Sequence, residues 1–222
     1  RNKKNTMTLL EGDGDFRSPE CVELLKEADI VVTNPPFSLF RDYVALLMQY
    51  NKQFAIIGNQ NAITYREIFP LIKSNKIWLG YNNGHYWFMV PDSYEEKKTD
   101  FKIDESGQKW RRMGNICWFT NLDIEKRHED MTLFRTYSPD IYPKYDNYDA
   151  INVGKTVDIP CDYDGYMGVP ITFMQYYNPE QFEIAGLDDH RVEWVGHGPR
   201  LNGKVKYRRV IIRRKQVNIN EN

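Results

Sequence analysis

Asn34, Pro35, Pro36 and Phe37 are the residues whose types and order point most directly to chemistry. They follow Ile30-Val31-Val32-Thr33, a short apolar, β-branched run that reads as a buried parallel strand. The strand delivers Asn34 to its carboxyl end, where open α/β sheets place their ligands. Pro35 fixes its own φ and keeps Asn34 out of helical geometry, and Pro36 constrains Pro35 in the same way. Neither proline carries an N–H, so the turn offers backbone carbonyls, the Asn34 side-chain oxygen and the flat face of Phe37.

Such a surface suits a planar group bearing an amine. In adenine, for example, the N6 lone pair is delocalised into the ring and is a poor nucleophile. The Asn34 amide oxygen and the Pro35 carbonyl can each take one N6 hydrogen, draw the nitrogen toward tetrahedral geometry and free the lone pair for attack on an electrophilic methyl group. Phe37 would stack on the base, which must first leave the duplex. This is catalysis by positioning and electrostatics, with no titrating side chain. The plainer reading of the tetrapeptide is a rigid turn that ends a strand.

The elements that must hold this turn are legible on both sides of it. Met7-Thr8-Leu9-Leu10-Glu11 is a candidate strand running into the loop Gly12-Asp13-Gly14-Asp15-Phe16. Ser18-Pro19 reads as an N-cap with proline in the first helical position, opening a helix to Lys26 or Glu27 that packs through Leu24, Leu25 and Ala28. After Phe37, Ser38 is placed to cap a helix with Leu39, Phe40, Tyr43, Val44, Leu47 and Met48 on one face. Phe54-Ala55-Ile56-Ile57-Gly58 is a second buried strand, and a helix begins near Thr64 that Pro70 must kink or restart. Ile77-Trp78-Leu79-Gly80 reads as a third strand, so alternation predicts a mostly parallel sheet. Beyond it, Tyr86-Trp87-Phe88-Met89-Val90 and Asn115-Ile116-Cys117-Trp118-Phe119-Thr120 read as strands, with the charged residues 95–105 as a loop or hairpin tip.

Composition limits the function classes. The chain has 222 residues and a net charge of −1, so any polyanionic partner must be met by local patches rather than a uniformly basic surface. Three cysteines (Cys21, Cys117, Cys161) and four histidines (His85, His128, His190, His197) are too scattered for a disulfide framework or a metal site. Asp188-Asp189-His190 is read as a solvated turn, not a ligand set. No apolar run is long enough to cross a bilayer and the opening residues lack a signal-peptide core, which points to the cytoplasm.

Two local patches stand out. Lys109, Arg111 and Arg112 flank an indole, Trp110; they suit phosphate and base contacts or, equally, a solvated face. Lys204, Lys206, Arg208, Arg209, Arg213, Arg214 and Lys215 cluster around an apolar strand, either along a phosphate backbone or as guards of a strand edge. Between them, residues 133–166 are rich in Tyr, Asp, Asn and Pro, with Tyr142, Tyr145 and Tyr148 evenly spaced; irregular structure is expected, either a polar aromatic surface or a tyrosine packing layer.

The stretch from Glu11 to Ser18, the Asn34-Pro35-Pro36-Phe37 turn, Met167-Gly168-Val169-Pro170-Ile171-Thr172-Phe173 and Asn178-Pro179-Glu180-Gln181-Phe182-Glu183-Ile184 together resemble the EcoRI-type adenine-specific DNA methyltransferase family. The resemblance implies an α/β fold with a partial Rossmann-like methyltransferase sheet, mostly parallel with an antiparallel closing pair, and an irregular, β-rich carboxyl-terminal region. It implies a catalytic core over residues 1–125 and a target-recognition region over 126–222. It implies S-adenosyl-L-methionine as cofactor, its adenine held by Asp15 and stacked on Phe16, and site-specific N6 methylation of adenine in double-stranded DNA at Asn34, Pro35, Pro36 and Phe37. The setting would be the cytoplasm of a bacterial or phage-infected cell, with a restriction endonuclease as a candidate partner. The family's glycine-rich loop should precede Asp15 and is not found; Gly196-His197-Gly198-Pro199 does not resemble it, so the chain reads as an amino-terminally incomplete version. Two other readings are compatible with the residues: an amino-methyltransferase acting on RNA or a protein glutamine, and a non-catalytic nucleic-acid-binding module.

Overall fold

Two five-stranded sheets share one apolar core, and the candidate turn leaves the edge strand of the first. The computed structural model describes residues 9–189, 192–193 and 198–216. The first sheet contains β1 (Ile30–Thr33), β2 (Gln53–Asn59), β3 (Trp78–Met89), β4 (Phe101–Ile103) and β5 (Lys109–Thr120) in the order β1-β2-β5-β3, with β4 on β5. The second contains β6 (Ile151–Asn152), β7 (Met167–Val169), β8 (Phe182–Asp189), β9 (Val192–Glu193) and β12 (Val210–Arg214) in the order β6-β7-β12-β8-β9; β10 (Arg200–Leu201) and β11 (Lys204–Val205) form a separate hairpin. Helices α1 (Pro19–Glu27), α2 (Phe40–Gln49) and α3 (Phe69–Lys73) all belong to the first half.

The chain is mixed α/β, but the first sheet is not mostly parallel. Only β1 and β2 pair in parallel; β5 inserts between β2 and β3 and runs against both. β1 is not the buried strand expected from its apolar run: it is the edge of the sheet, and Ile30 and Val32 are exposed. The alternation of strand and helix correctly gives β1, β2 and β3 one common direction, yet it cannot show that a later strand divides them. The two strands expected at Ile77 and Tyr86 are one long strand, β3, kept continuous by two register shifts against β5.

Local chemistry sets the element ends. The Ser18 hydroxyl accepts from the Cys21 N–H at 3.2 Å with Pro19 in the first turn, as expected. At the other end of α1, the Lys52 ammonium donates to the carbonyls of Lys26 (2.7 Å) and Ala28 (2.9 Å), a cation on the negative pole of the helix. Leu25 is buried and Leu24 is exposed, so Leu24 does not pack α1 on the sheet. The helix expected from Thr64 begins only at Phe69, because residues 60–64 form a 3-10 turn and Pro70 starts α3 from its first turn instead of kinking it. Leu9 and Leu10 are exposed and outside any strand, while Met7 and Thr8 lie outside the described residues. So do His190 and residues 194–197, on which the Asp188-Asp189-His190 and glycine-histidine-glycine readings partly fall.

Phe40, Val44 and Leu47 turn inward from α2 onto Phe54, Ile56 and Phe119 of the sheet. Gly58 on β2 is what lets Phe40 reach Phe119: a Cβ there would stand 2.6 Å from Phe40 and 2.8 Å from Phe119. Gly58→Ala is expected to lower unfolding free energy by about 1–3 kcal/mol through overpacking, read as a fall in urea midpoint at unchanged slope.

The tyrosine-rich stretch is a packing layer and not an exposed aromatic surface. Tyr142 and Tyr145 are buried, Tyr145 stacks on Tyr148 at 4.7 Å, and the Tyr148 hydroxyl donates to Asp188 Oδ2 at 2.6 Å. Tyr145 also donates to Asn152 Oδ1 at 2.9 Å, and burial pushes its phenol up to about 12. Buried residues of both halves form a single cluster. Among the described residues no helix is long and apolar enough to cross a membrane, and no group of His, Cys, Asp and Glu is placed to hold a metal.

Candidate active site

Because β1 and β2 are parallel with Thr33 opposite Ile56, the segments leaving their carboxyl ends emerge on one edge. From β1 comes the proline turn and from β2 the 3-10 turn Gln60–Thr64. Pro35 is buried and anchors the turn, while Asn34, Pro36 and Phe37 face outward, Phe37 with 43% of its surface exposed. The Pro36 carbonyl accepts from the Leu39 N–H at 2.9 Å, closing a short 3-10 turn (Phe37–Leu39) ahead of α2. Ser38 therefore does not cap α2: among the described residues no side chain does, and the backbone turn takes its place. Directly behind, Phe40 packs on Phe119 with ring centroids 5.0 Å apart, so the turn stands on a fixed aromatic pair.

Beside the turn opens a cleft of about 820 Å³ lined by Phe37, Ser38 and Arg41, by Asn61 and Thr64 through Glu67, and by Arg208. Three guanidiniums and one carboxylate border it. Arg41 lies 3.8 Å from Glu67 and over the Tyr65 ring at 5.7 Å, and Arg208 Nη1 donates to Thr64 Oγ1 at 2.8 Å. Arg41, Thr64, Tyr65 and Arg66 have no site role in the sequence pattern, where Thr64 marks only the start of an expected helix. The signal for them was the parallel pairing, since whatever follows β2 must lie beside whatever follows β1.

The acidic loop sits close to the same edge. Phe16 meets Tyr43 of α2 edge to face at 4.9 Å, one helical turn from the proline turn. Asp15 accepts from Arg17 through both oxygens, at 2.7 Å (Nη2) and 3.0 Å (Nε), and this bonding lowers its carboxyl to about 2. Asp15 is thus an anionic acceptor at any physiological pH, and about a third of its side chain is exposed. Gly14, at φ +79°, makes the bend that places Asp15 at the mouth of α1. A charged acceptor beside a half-buried ring fits the purine end of a nucleoside cofactor. Arg17, 5.3 Å above Phe16, would have to share both groups with it.

The candidate DNA contacts scatter. Lys109 donates to the carbonyls of Asp92 (2.9 Å) and Tyr94 (3.2 Å), Arg111 to that of Asp100 (3.0 Å), and Arg112 lies 3.6 Å from the Asp100 carboxylate. These cations fasten residues 90–103 to β5. Lys102, outside the two basic patches, lies above Trp87 (4.7 Å) and Trp110 (5.8 Å). The carboxyl-terminal cations do not share one strand: Lys204 is on β11, Lys206 and Arg208 lie between strands, and Arg213 pairs with Glu183 at 2.8 Å on β12. Arg214 donates to the Cys161 carbonyl, Arg209 lies beside the Tyr145 phenol, and Lys215 borders a separate pocket with Asp164 and Glu183. As β12 is central in its sheet, its cations do not guard an edge. Arg208 is the one of this set that reaches the cleft beside Phe37.

At the opposite end of the sheet His128 ties the exit of β5 to the second half, with Nε2 2.8 Å from Asp123 and Nδ1 3.3 Å from Glu180. Bonding to these two carboxylates raises the imidazole above its ordinary value. Its contribution to stability is complete below the unfolded imidazole pKa and is lost as pH rises through the higher folded one. Melting temperature followed from about pH 5 to about pH 9 is therefore expected to fall on the alkaline side, and His128→Ala to flatten that decline.

A proline-fixed acceptor turn leaves the carboxyl edge of a parallel strand pair, and the acidic loop packs, through Phe16 on Tyr43, against the helix that follows that turn. Residues 2–215 match the family model described as adenine-specific methyltransferase EcoRI, and the chain belongs to that family. It is 52% identical over 214 residues to the type II methyltransferase M.EcoRI of Escherichia coli, covering 93% of this chain and 64% of that one. It is 43% identical over 234 residues to M.MgeORF184P of Mycoplasma genitalium (96% and 73% covered) and 41% identical over 229 residues to M.MpnI of Mycoplasma pneumoniae (93% and 70% covered), both named type II methyltransferases. No solved structure matches the chain significantly.

Proposed function

We propose that the protein methylates adenine N6 at a specific short sequence in double-stranded DNA, with the target base turned out of the duplex onto Asn34, Pro35, Pro36 and Phe37. The observation that carries this reading is the turn itself: Pro35 buried, Asn34 and Phe37 exposed, and a cleft that Phe37 lines. Asn34 Oδ1 and the Pro35 carbonyl accept the two N6 hydrogens, localising the lone pair on nitrogen, and Phe37 covers the ring face. S-adenosyl-L-methionine would supply the electrophilic methyl group and leave as the neutral thioether, the alkylated nitrogen giving one of its protons to solvent. Asp15 and Phe16 would hold the cofactor's adenine end, the first accepting from the exocyclic amine and the second packing on the ring. The order β1-β2-β5-β3 is read as part of a Rossmann-like methyltransferase sheet with β5 and β3 as the closing pair, and the second half as the region that sorts DNA sequences. The protein would work in the cytoplasm, in a restriction-modification system with a companion endonuclease. The test is methyl transfer to unmethylated plasmid, read as N6-methyladenine. Transfer to RNA or to protein glutamine instead would select another amino-methyltransferase, and cofactor-independent DNA binding without transfer would leave only a binding module.

A further inference from the structure

We infer that the arginine-lined cleft beside Phe37 seats a phosphodiester of the target strand, with Arg208 and Arg41 as its ligands and Thr64 as the residue that positions Arg208. This rests on the reading above, since a base swung onto the turn carries its two flanking phosphates with it. Those anions must lie within about one nucleotide's length of the stacked ring, and among the described residues the cleft that Phe37 lines is bordered by Arg41, Arg66 and Arg208 with the carboxylate of Glu67. A guanidinium matches a phosphate in shape as well as in charge.

Arg208 is built into its position. Its Nη1 donates to Thr64 Oγ1 at 2.8 Å, and that hydroxyl donates onward to the Asn61 carbonyl at 2.9 Å, so its proton points away and a lone pair faces the guanidinium. The backbone on either side is pinned: Lys206 N–H to the Pro199 carbonyl at 2.7 Å, and the Arg209 carbonyl to the Asp188 N–H at 2.8 Å. The tyrosine layer thus holds the loop that carries Arg208 from the second half of the chain to the catalytic edge of the first. Arg41 has a looser partner, Glu67 at 3.8 Å with both side chains about half exposed, and a phosphate can replace that carboxylate.

The experiment is a salt titration of the affinity of the full-length chain for an unmethylated duplex oligonucleotide, without cofactor. Arg208→Ala is expected to weaken binding about tenfold at about 0.1 M salt and to reduce the slope of log K against log salt by about 0.9, the loss of one phosphate contact. Arg208→Lys keeps the charge and should retain the slope with affinity down about threefold, as should Thr64→Val, which removes only the positioning hydroxyl. Wild-type slope and affinity in Arg208→Ala would overturn the inference, as would an equal loss of slope in Arg208→Lys, which would signal a disturbed fold. Failure of the methylation reading shows elsewhere, as absence of methyl transfer by the wild-type chain.

Discussion

Asn34→Ala is expected to lower methyl transfer to adenine by about 10²–10³-fold, the usual consequence of removing one preorganised partner of the reacting group. The residue is exposed at the end of β1 and the turn is fixed by Pro35 and Pro36, so the substitution removes an acceptor without removing a support. DNA affinity should change by less than about threefold, because phosphate contacts dominate it. Asn34→Asp gives a sharper contrast: it keeps an acceptor oxygen in place and adds a charge, so part of the lost rate should return. Single-turnover measurements at saturating DNA separate the chemical step from binding. A fall in affinity equal to the fall in rate would mean that Asn34 holds DNA and not the amine.

Phe40→Ala carries the largest expected cost in stability. The ring is fully buried between Phe119 and the close approach of Gly58, and its loss should cost about 3–5 kcal/mol, a sizeable part of the 5–15 kcal/mol typical of a folded domain. The turn stands on this ring, so activity measured well below the melting temperature should fall as well. Phe40→Leu refills most of the volume and should recover the greater part of the stability. Chemical denaturation of the three proteins gives the ranking, and an unchanged midpoint in Phe40→Ala would show that α2 is held to the sheet by something else.

Much of this site was legible because its signals are local. Ser18-Pro19 announces the start of α1, the β-branched run announces β1, and two prolines leave Asn34 few conformations. The errors are of another kind. The insertion of β5 between β2 and β3, the fusion of two short strands into β3 and the dispersal of the carboxyl-terminal cations are pairings between distant residues, invisible to periodicity. Arg41 and Arg66 look like ordinary surface charges until the parallel register of β1 and β2 places them beside Arg208. The tyrosines show the same limit, since their spacing suits a face or a core equally and only their partners Asp188 and Asn152 decide between them.

The proline turn as the seat of an extruded adenine is tested most directly by reading modified adenines across the DNA of cells that make the full-length protein, beside cells that make Asn34→Ala in equal amount. N6-methyladenine at one short sequence with the first and none with the second is the expected result. Unmodified DNA in the first, or the same modified sequence in both, would contradict it.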